Sequence, residues 1–502
     1  MRIVDAEIVR RPEPMVDRER EAAELAGLLQ RRGPVLALLH GRRRVGKTFL
    51  LNHIWPEQQT FYFVASDATN ELNRLELLAE LGRWLGQELR PEDYGSWRAI
   101  FRLLLQVRAP EPLVVILDEY QYLHAEGEDI DSQLAAVWEE YKNRGGVRDR
   151  FVLVLCGSIV EIMERLDSAG SPLYGRIDWK HRLQPFDYWN AGLFSGFEDP
   201  MDRVRAYAVF GGTPRYLATL DRERPLGENV ATLALAPQGA VRLQVETIVE
   251  QEKGLRNIAA YKAVLAAIGH GATEINDIAQ KTGLKNDNAL RRMLEVLEGL
   301  DYIELRRNFE AALNEPKRYR ISDPALRFYY SAVWRFRNEL ATNPALDVWN
   351  EQVQDELPSY LGHVFEDIAA QAYTRNRARL KLPMVHEWGR WEGVDRDRKP
   401  VEIDIVARLT GGGLLTGSVK CRTRPFAIGQ HRKHLDDLRR LAESGKGWAH
   451  DALKPESPVL YVSAAGFDRG FQRQVKQEDP DRQVIAWTLA DLYPAAVSAM
   501  AA

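Results

Sequence analysis

Four short apolar runs punctuate roughly the first 200 residues: VLALLHG at 35–41, TFYFVAS at 60–66, LVVILDE at 113–119 and FVLVLCGS at 151–158. Each is β-branched or aromatic in character and gives way to polar or helix-forming sequence. Runs that are apolar at every position suit strands buried on both faces, as in a parallel sheet covered by helices. They predict an α/β core over 1–184. After Trp179 the periodicity turns helical, and AYAVFGGTPRYLATL at 206–220 carries a Gly-Gly-Thr-Pro break that should end one helix and start another. This predicts a small helical lid over 185–254. Between 255 and 330, short helices around EINDIAQKTGL and NALRRMLEVLEGLDYIE precede a polar hairpin, RRNFEAALNEPKRYRIS, the order of a winged helix-turn-helix. A helical connector is expected at 331–360. A second α/β domain is expected at 361–502: helix HVFEDIAAQAYTRN, strands EIDIVARL and LLTGSVKC, then a helix around HRKHLDDLRRL.

Length agrees with several units, since 502 residues exceed what one core of about 100–200 residues organises. Hydrophobic content of 45% against 28% charged fits a globular protein, and no apolar run is long enough to span a bilayer. The opening MRIVDAEIVRRPEPMVDRERE has no apolar stretch of signal-peptide length, which makes cytoplasm the expected location. Cys156 and Cys421 are too few for a disulfide framework or a Cys-rich zinc site. A net charge of -4 excludes a globally basic nucleic-acid binder, though a local basic face would hide inside that average.

The candidate chemistry begins where the first run ends. Gly41-x-x-x-x-Gly46-Lys47-Thr48 is the Walker A spacing, set between a strand and a helical stretch. The two glycines let backbone N–H groups turn toward phosphate oxygens, and the following helix aims its positive end at the same charge. Lys47 is expected to reach the β- and γ-phosphates of ATP, and Thr48 to hold Mg²⁺. Arg42, Arg43, Arg44, Val45 and Phe49 complete the binding stretch. Asp118 ends the third run, where a carboxylate can hold the Mg²⁺ shell, and Glu119 beside it can polarise an attacking water. Ser158, at the tip of the fourth run, either senses the γ-phosphate or only caps the strand end. Arg176 in SPLYGR either contacts developing phosphate charge or forms a surface pair. Pro214 either fixes the lid over the base or punctuates two helices.

Taken in order, MVDRERE (15–21), HGRRRVGKTFLL, DEYQYL (118–123), LCGSIVEIME, SPLYGR and FGGTP resemble the archaeal-type ATPases of the STAND class, relatives of the AAA+ proteins. RYRISDPALRFYY (318–330) and GHVFE (362–366) look like the domain of unknown function that follows many such ATPases, a divergent relative of PD-(D/E)XK nucleases. The resemblance implies a nucleotide-driven switch carrying winged-helix and nuclease-like modules.

A nuclease of that fold needs carboxylates on adjacent strands and a lysine. Glu366, Glu402, Asp404 and Lys420 are the candidates. Ser418 stands where the family pattern has Glu or Gln, and it is a poorer metal ligand than a carboxylate. Gln430, His431 and Lys433 either touch a phosphate backbone or line a solvated helix face. In the winged-helix unit, Arg291 and Arg292 on the second helix and Arg306, Arg307, Lys317, Arg318 and Arg320 around the wing suit phosphate contacts, but Glu295, Glu298, Asp301 and Glu304 interleave with them. The leading expectation is a Mg²⁺-dependent ATP-hydrolysing switch acting on or near nucleic acid, with DNA reached through the winged helix and C-terminal domain. The alternatives are an ATP- or ADP-binding sensor or scaffold that makes protein contacts, as a homo-oligomer or with another chain, and an ATP-regulated DNA nuclease.

Overall fold

The computed structural model describes residues 17–494 except 107–111, 125–128, 144–149, 253–254, 313–314 and 316. The chain divides into two compact units, Met1–Gln184 and Pro185–Ala502. Met15 and Val16 of the MVDRERE motif lie outside the described residues.

In the first unit, β1 (Gly33–His40), β2 (Thr60–Val64), β3 (Leu113–Asp118), β4 (Arg150–Gly157) and β5 (Trp179–Arg182) form a wholly parallel sheet in the order β2-β3-β4-β1-β5. Successive side chains of a strand point to opposite faces, and both faces here are covered. Leu36, Leu38, Val115, Leu117, Leu153 and Leu155 pack with residues of helices Asn70–Leu85, Trp97–Gln106 and Ile130–Asn143. Ala37, Leu39, Val114, Ile116, Val152 and Val154 pack against Leu25, Leu50 and Leu51 on the other side. That double burial is why the strands read as continuous apolar runs. β5 departs from the expected helical turn after Trp179. Its sequence WKHR has no apolar run, because it is an edge strand with every residue at least partly exposed, and only its register with Ala37–His40 reveals it. The carboxyl ends of β1, β3 and β4 lie side by side, where open parallel sheets take their ligands.

In the second unit, helices Tyr188–Ser195 and Pro200–Phe210 lead to Gly211 and Gly212, and the Gly212 carbonyl accepts from the Phe186 N–H at 2.7 Å. Helices Ile258–Gly269, Ile275–Thr282 and Asn288–Gly299 precede an antiparallel hairpin of β6 (Ile303–Arg306) and β7 (Arg318–Ile321). A long helix, Gln354–Asn376, then leads into a mixed five-stranded sheet. Its strands are β8 (Val385–Val394), β9 (Pro400–Leu409), β10 (Leu414–Lys420), β11 (Val459–Ser463) and β12 (Val484–Trp487), in the order β12-β11-β10-β9-β8. β8, β9 and β10 run antiparallel to their neighbours among themselves, whereas β10, β11 and β12 are parallel. Two α/β units result. Among the described residues, no helix is long and apolar enough to cross a membrane.

Candidate nucleotide site and the C-terminal acid cluster

The loop after β1 owes its shape to residues that accept positive φ: Gly41 at 153°, Arg44 at 70° and Gly46 at 96°. At Gly41 a side chain is also excluded by space, because a Cβ would collide with the Leu183 carbonyl. Gly41 and Gly46 therefore favour glycine. Arg18 holds the loop from outside, donating to the Val45 carbonyl at 3.4 Å and the Gln184 carbonyl at 2.5 Å. Arg43 donates to the Tyr122 hydroxyl at 2.7 Å. Lys47 opens helix Lys47–Ile54, is buried, and turns its ammonium back onto the carbonyls of Gly41 at 2.9 Å and Arg42 at 3.0 Å. A buried ammonium satisfied by neutral carbonyls keeps its full charge available for an anion. Phe49 is on the same helix, partly exposed and stacked on His53.

Asp118 and Glu119 meet this loop from β3. The Thr48 hydroxyl donates to Asp118 Oδ2 at 3.1 Å, and the Tyr62 hydroxyl donates to the same oxygen. Burial, with Asp118 alongside, pushes the Tyr62 phenol far above its ordinary pKa, so it stays a donor. Glu119 takes a left-handed backbone, φ 53°, and its own N–H donates to Asp118 Oδ1 at 2.8 Å. That turn carries its carboxylate to Ser158, whose hydroxyl donates to Glu119 Oε2 at 2.7 Å. The Gln121 amide donates to the same oxygen and also to Ser158 Oγ at 3.3 Å. Gly157 makes room, since a Cβ there would strike Gln121 and Met163. Thus Lys47, Thr48, Asp118, Glu119 and Ser158 form one connected site. Sequence reading missed Tyr62 and Gln121. Gln121 lies inside DEYQYL, but its role depends on the Glu119 turn.

The remaining nucleotide candidates are placed otherwise. Arg176 pairs with Glu139 at 3.0 Å and donates to the Pro172 carbonyl at 2.8 Å, partners that lie outside the loop and the acid pair. Pro214 belongs to the second unit, at the first turn of helix Pro214–Leu217. His40, the last residue of β1, is buried with both ring nitrogens unpartnered. Burial, with Arg182, Lys180 and Lys47 nearby, lowers its pKa to about 4.

In the second unit, Glu366 on helix Gln354–Asn376 and Glu402 and Asp404 on β9 bring carboxylate oxygens within 4.8 Å of one another. Lys420 joins them, its ammonium 2.9 Å from Asp404 Oδ2. The same oxygen accepts from the Ser418 hydroxyl at 2.9 Å and the Val419 N–H at 2.7 Å. Burial, with Asp404 next to it, raises the Glu402 pKa. The residues do not fit a divalent metal as they stand, because Arg390 pairs with Glu366 at 3.4 Å and with Glu402 at 2.9 Å. Gln430, His431 and Lys433 have local partners: the Ala427 N–H, the Tyr461 hydroxyl and Asp437.

The basic residues of helix Asn288–Gly299 and of the hairpin divide. Arg306 pairs with Asp367 at 2.6 Å and Glu304 at 3.0 Å, Arg318 with Glu392 at 3.1 Å, and Arg320 with Asp367 at 2.8 Å. Arg291, Arg292, Arg307 and Lys317 are exposed.

Comparison with known proteins finds likenesses to two families, each over part of the chain. Residues 15–220 match a family described as an ATPase domain predominantly from Archaea. Residues 329–429 match one described as archaea bacterial proteins of unknown function. An uncharacterized protein of Methanocaldococcus jannaschii is 24% identical over 398 residues, covering 78% of this chain and 84% of its own length. Among solved structures, a Walker-type ATPase of Pyrococcus abyssi is similar at 22% identity, over 64% of this chain and 97% of that one, with a TM-score of 0.45. The ORC2 protein of Aeropyrum pernix, in ADPNP–ADP complexes, is similar at 15% identity over 67% and 98%, with a TM-score of 0.42. The chain is thus similar to an archaeal ATPase domain over residues 15–220 and to a family of unknown function over residues 329–429.

Proposed function

We propose that the first unit binds ATP with Mg²⁺ and hydrolyses it, and that nucleotide state acts as a switch on the second unit. The observation that carries this reading is the 3.1 Å contact of Thr48 Oγ1 with Asp118 Oδ2, which puts the loop hydroxyl and the strand-end acid where one cation can be held by both. Mg²⁺ would be held by Thr48 and Asp118 and would supply charge neutralisation at the phosphates. Lys47 binds the phosphate chain by exchanging its two carbonyl partners for phosphate oxygens. Glu119 orients a water and takes its proton on Oε1 or Oε2, with Ser158 and Gln121 setting the direction of the carboxylate. Arg176 is a cationic contributor only if it leaves Glu139.

The output of the switch is read as action on or near nucleic acid, supported by the exposed Arg291, Arg292, Arg307 and Lys317 beside a helix–hairpin unit of winged-helix order. A second reading, a nucleotide-binding sensor whose C-terminal domain makes protein contacts, draws support from the Arg390 ion pairs in the acid cluster. ATP hydrolysis measured with and without DNA separates them. Hydrolysis no faster than that of Glu119→Gln sinks the turnover reading. A rate that DNA leaves unchanged, together with DNA binding undiminished in Arg291→Ala/Arg292→Ala, sinks the nucleic-acid reading.

A further inference from the structure

Every carboxylate of the C-terminal cluster already faces a cation that belongs to the chain. Lys420 serves Asp404. Arg390 spans the other two, with Nη1 3.4 Å from Glu366 Oε2 and Nη2 2.9 Å from Glu402 Oε1, and Nη2 also reaches Glu392 at 2.9 Å. Arg306 adds a guanidinium 3.8 Å from Glu366. A guanidinium stays charged at any working pH and offers several donors in a fixed fork, so it fills a space between carboxylates that a divalent ion would otherwise take.

Arg390 is also held in place from behind. It lies on β8 at the register shift between Gly389 and Trp391. The loop that follows β6 runs alongside this shift, and the Phe309 N–H donates to the Arg390 carbonyl at 2.8 Å. Asn308 brackets the next position but one, accepting from the Glu392 N–H at 2.9 Å and donating to the Glu392 carbonyl at 2.9 Å. Phe309 anchors the loop: it is buried, edge-on to Trp448, and lies under the Arg408 guanidinium. The hairpin therefore fixes the backbone from which Arg390 reaches the acids, and Arg306 and Arg320 tie the same hairpin to Asp367 on the acid-bearing helix.

We propose that Arg390 is the resident cation of the Glu366–Glu402–Asp404 cluster, held there by Asn308 and Phe309, and that it closes this site to divalent metal. The site takes a divalent ion only when the guanidinium is removed or its strand is released.

Mn²⁺ titration of the full, nucleotide-free chain, read by electron paramagnetic resonance, tests this. Each protein is compared with the same protein carrying Glu402→Gln, an exposed position that leaves the first unit untouched. Wild type is expected to show no Mn²⁺ binding that Glu402→Gln abolishes. Arg390→Gln is expected to gain one such site, ~10–100-fold tighter than any wild-type binding. Asn308→Ala, which alters no charge, is expected to gain the same site more weakly. Wild-type Mn²⁺ binding that disappears with Glu402→Gln overturns the proposal without reference to any other variant. So does an Arg390→Gln protein with unchanged near-ultraviolet circular dichroism and no new site. If Arg390→Gln fails to fold, Asn308→Ala decides by the same two outcomes.

Discussion

The acid pair Asp118–Glu119 and the acid cluster Glu366–Glu402–Asp404 are satisfied in opposite ways. Asp118 and Glu119 accept from hydroxyls, an amide side chain and one backbone N–H, all neutral donors supplied by Thr48, Tyr62, Gln121, Ser158 and Glu119 itself. Glu366, Glu402 and Asp404 are satisfied largely by Arg390, Arg306 and Lys420. Neutral donors orient a carboxylate and leave its charge uncompensated, so it can still hold a cation or accept a proton. Fixed cations spend that charge inside the fold. The lesson is that the spacing of acids does not by itself mark a reactive site. The donors around them decide it.

The sharpest way to break this contrast is at Lys47, a buried cation of the first site that rests on carbonyls and not on the acids. Lys47→Ala removes the charge proposed to bind phosphate and leaves Asp118 and Glu119 in place. ATP hydrolysis is expected to fall by ~10²–10³-fold, with weakened ATP binding by equilibrium titration. Hydrolysis within threefold of wild type would show that the loop is not the phosphate site. Glu119→Gln comes next. It keeps the size and the partners Ser158 and Gln121 but discards the proton acceptor, so turnover should drop by ~10²-fold while ATP affinity stays level. A matched loss of affinity would place Glu119 in binding instead.

What could be read beforehand follows from how local each feature is. The loop at 41–48 is a contiguous spacing, and the strands of the first sheet are buried on both faces, so both show in the sequence. Tyr62 reaches Asp118 from the neighbouring strand, a contact set by the pairing of Val64 with Asp118, and no pattern within either run encodes it. β5 is hidden because WKHR at a sheet edge has no apolar signature. In the second cluster, Glu366, Glu402, Asp404 and Lys420 were legible as residue types on plausible elements. Arg390 was not, because its place depends on a strand irregularity and on a hairpin more than 70 residues earlier, where the Asn308 contact spans 84. For the same reason the arginines of the hairpin read as a basic surface, although Arg306, Arg318 and Arg320 are engaged with acids from elsewhere in the chain.

His40 extends the contrast to protons. It stands beside Gly41, buried and unpartnered, with its pKa lowered to about 4 by burial and the nearby Arg182, Lys180 and Lys47. The unfolded chain protonates this ring near the ordinary value of about 6.5, before the folded chain does. Stability is therefore undiminished above pH 6.5 and falls as the pH drops toward 4, by an upper bound of about 3 kcal/mol. His434 in the second unit, whose pKa is lowered to about 3, has a Thr416 partner and adds its own slope in any variant. His40→Gln should remove only the His40 part. Urea unfolding at pH 7 and pH 4.5 measures it: equal pH slopes in wild type and variant would mean that His40 is protonated as readily when folded.

The smallest effect is also the most direct test of the opening comparison, because each cluster contains one serine donating to one carboxylate. Ser158 donates to Glu119 Oε2 at 2.7 Å and Ser418 to Asp404 Oδ2 at 2.9 Å. Removing a single hydroxyl donor to a carboxylate costs about 1.5–3 kcal/mol in either place, yet the consequences for turnover should differ. Among the described residues Gln121 is the other side-chain donor to Glu119, so Ser158→Ala frees the carboxylate to rotate, and turnover should fall by ~5–10-fold beside a stability loss like that of Ser418→Ala. Asp404 keeps the Val419 N–H and the Lys420 ammonium, so Ser418→Ala should leave its orientation and the ATPase rate unchanged and lower stability by no more than about 3 kcal/mol. Equal effects on turnover from the two substitutions would mean that the acids of the second unit take part in hydrolysis, and that the division between an available and a neutralised acid site is wrong.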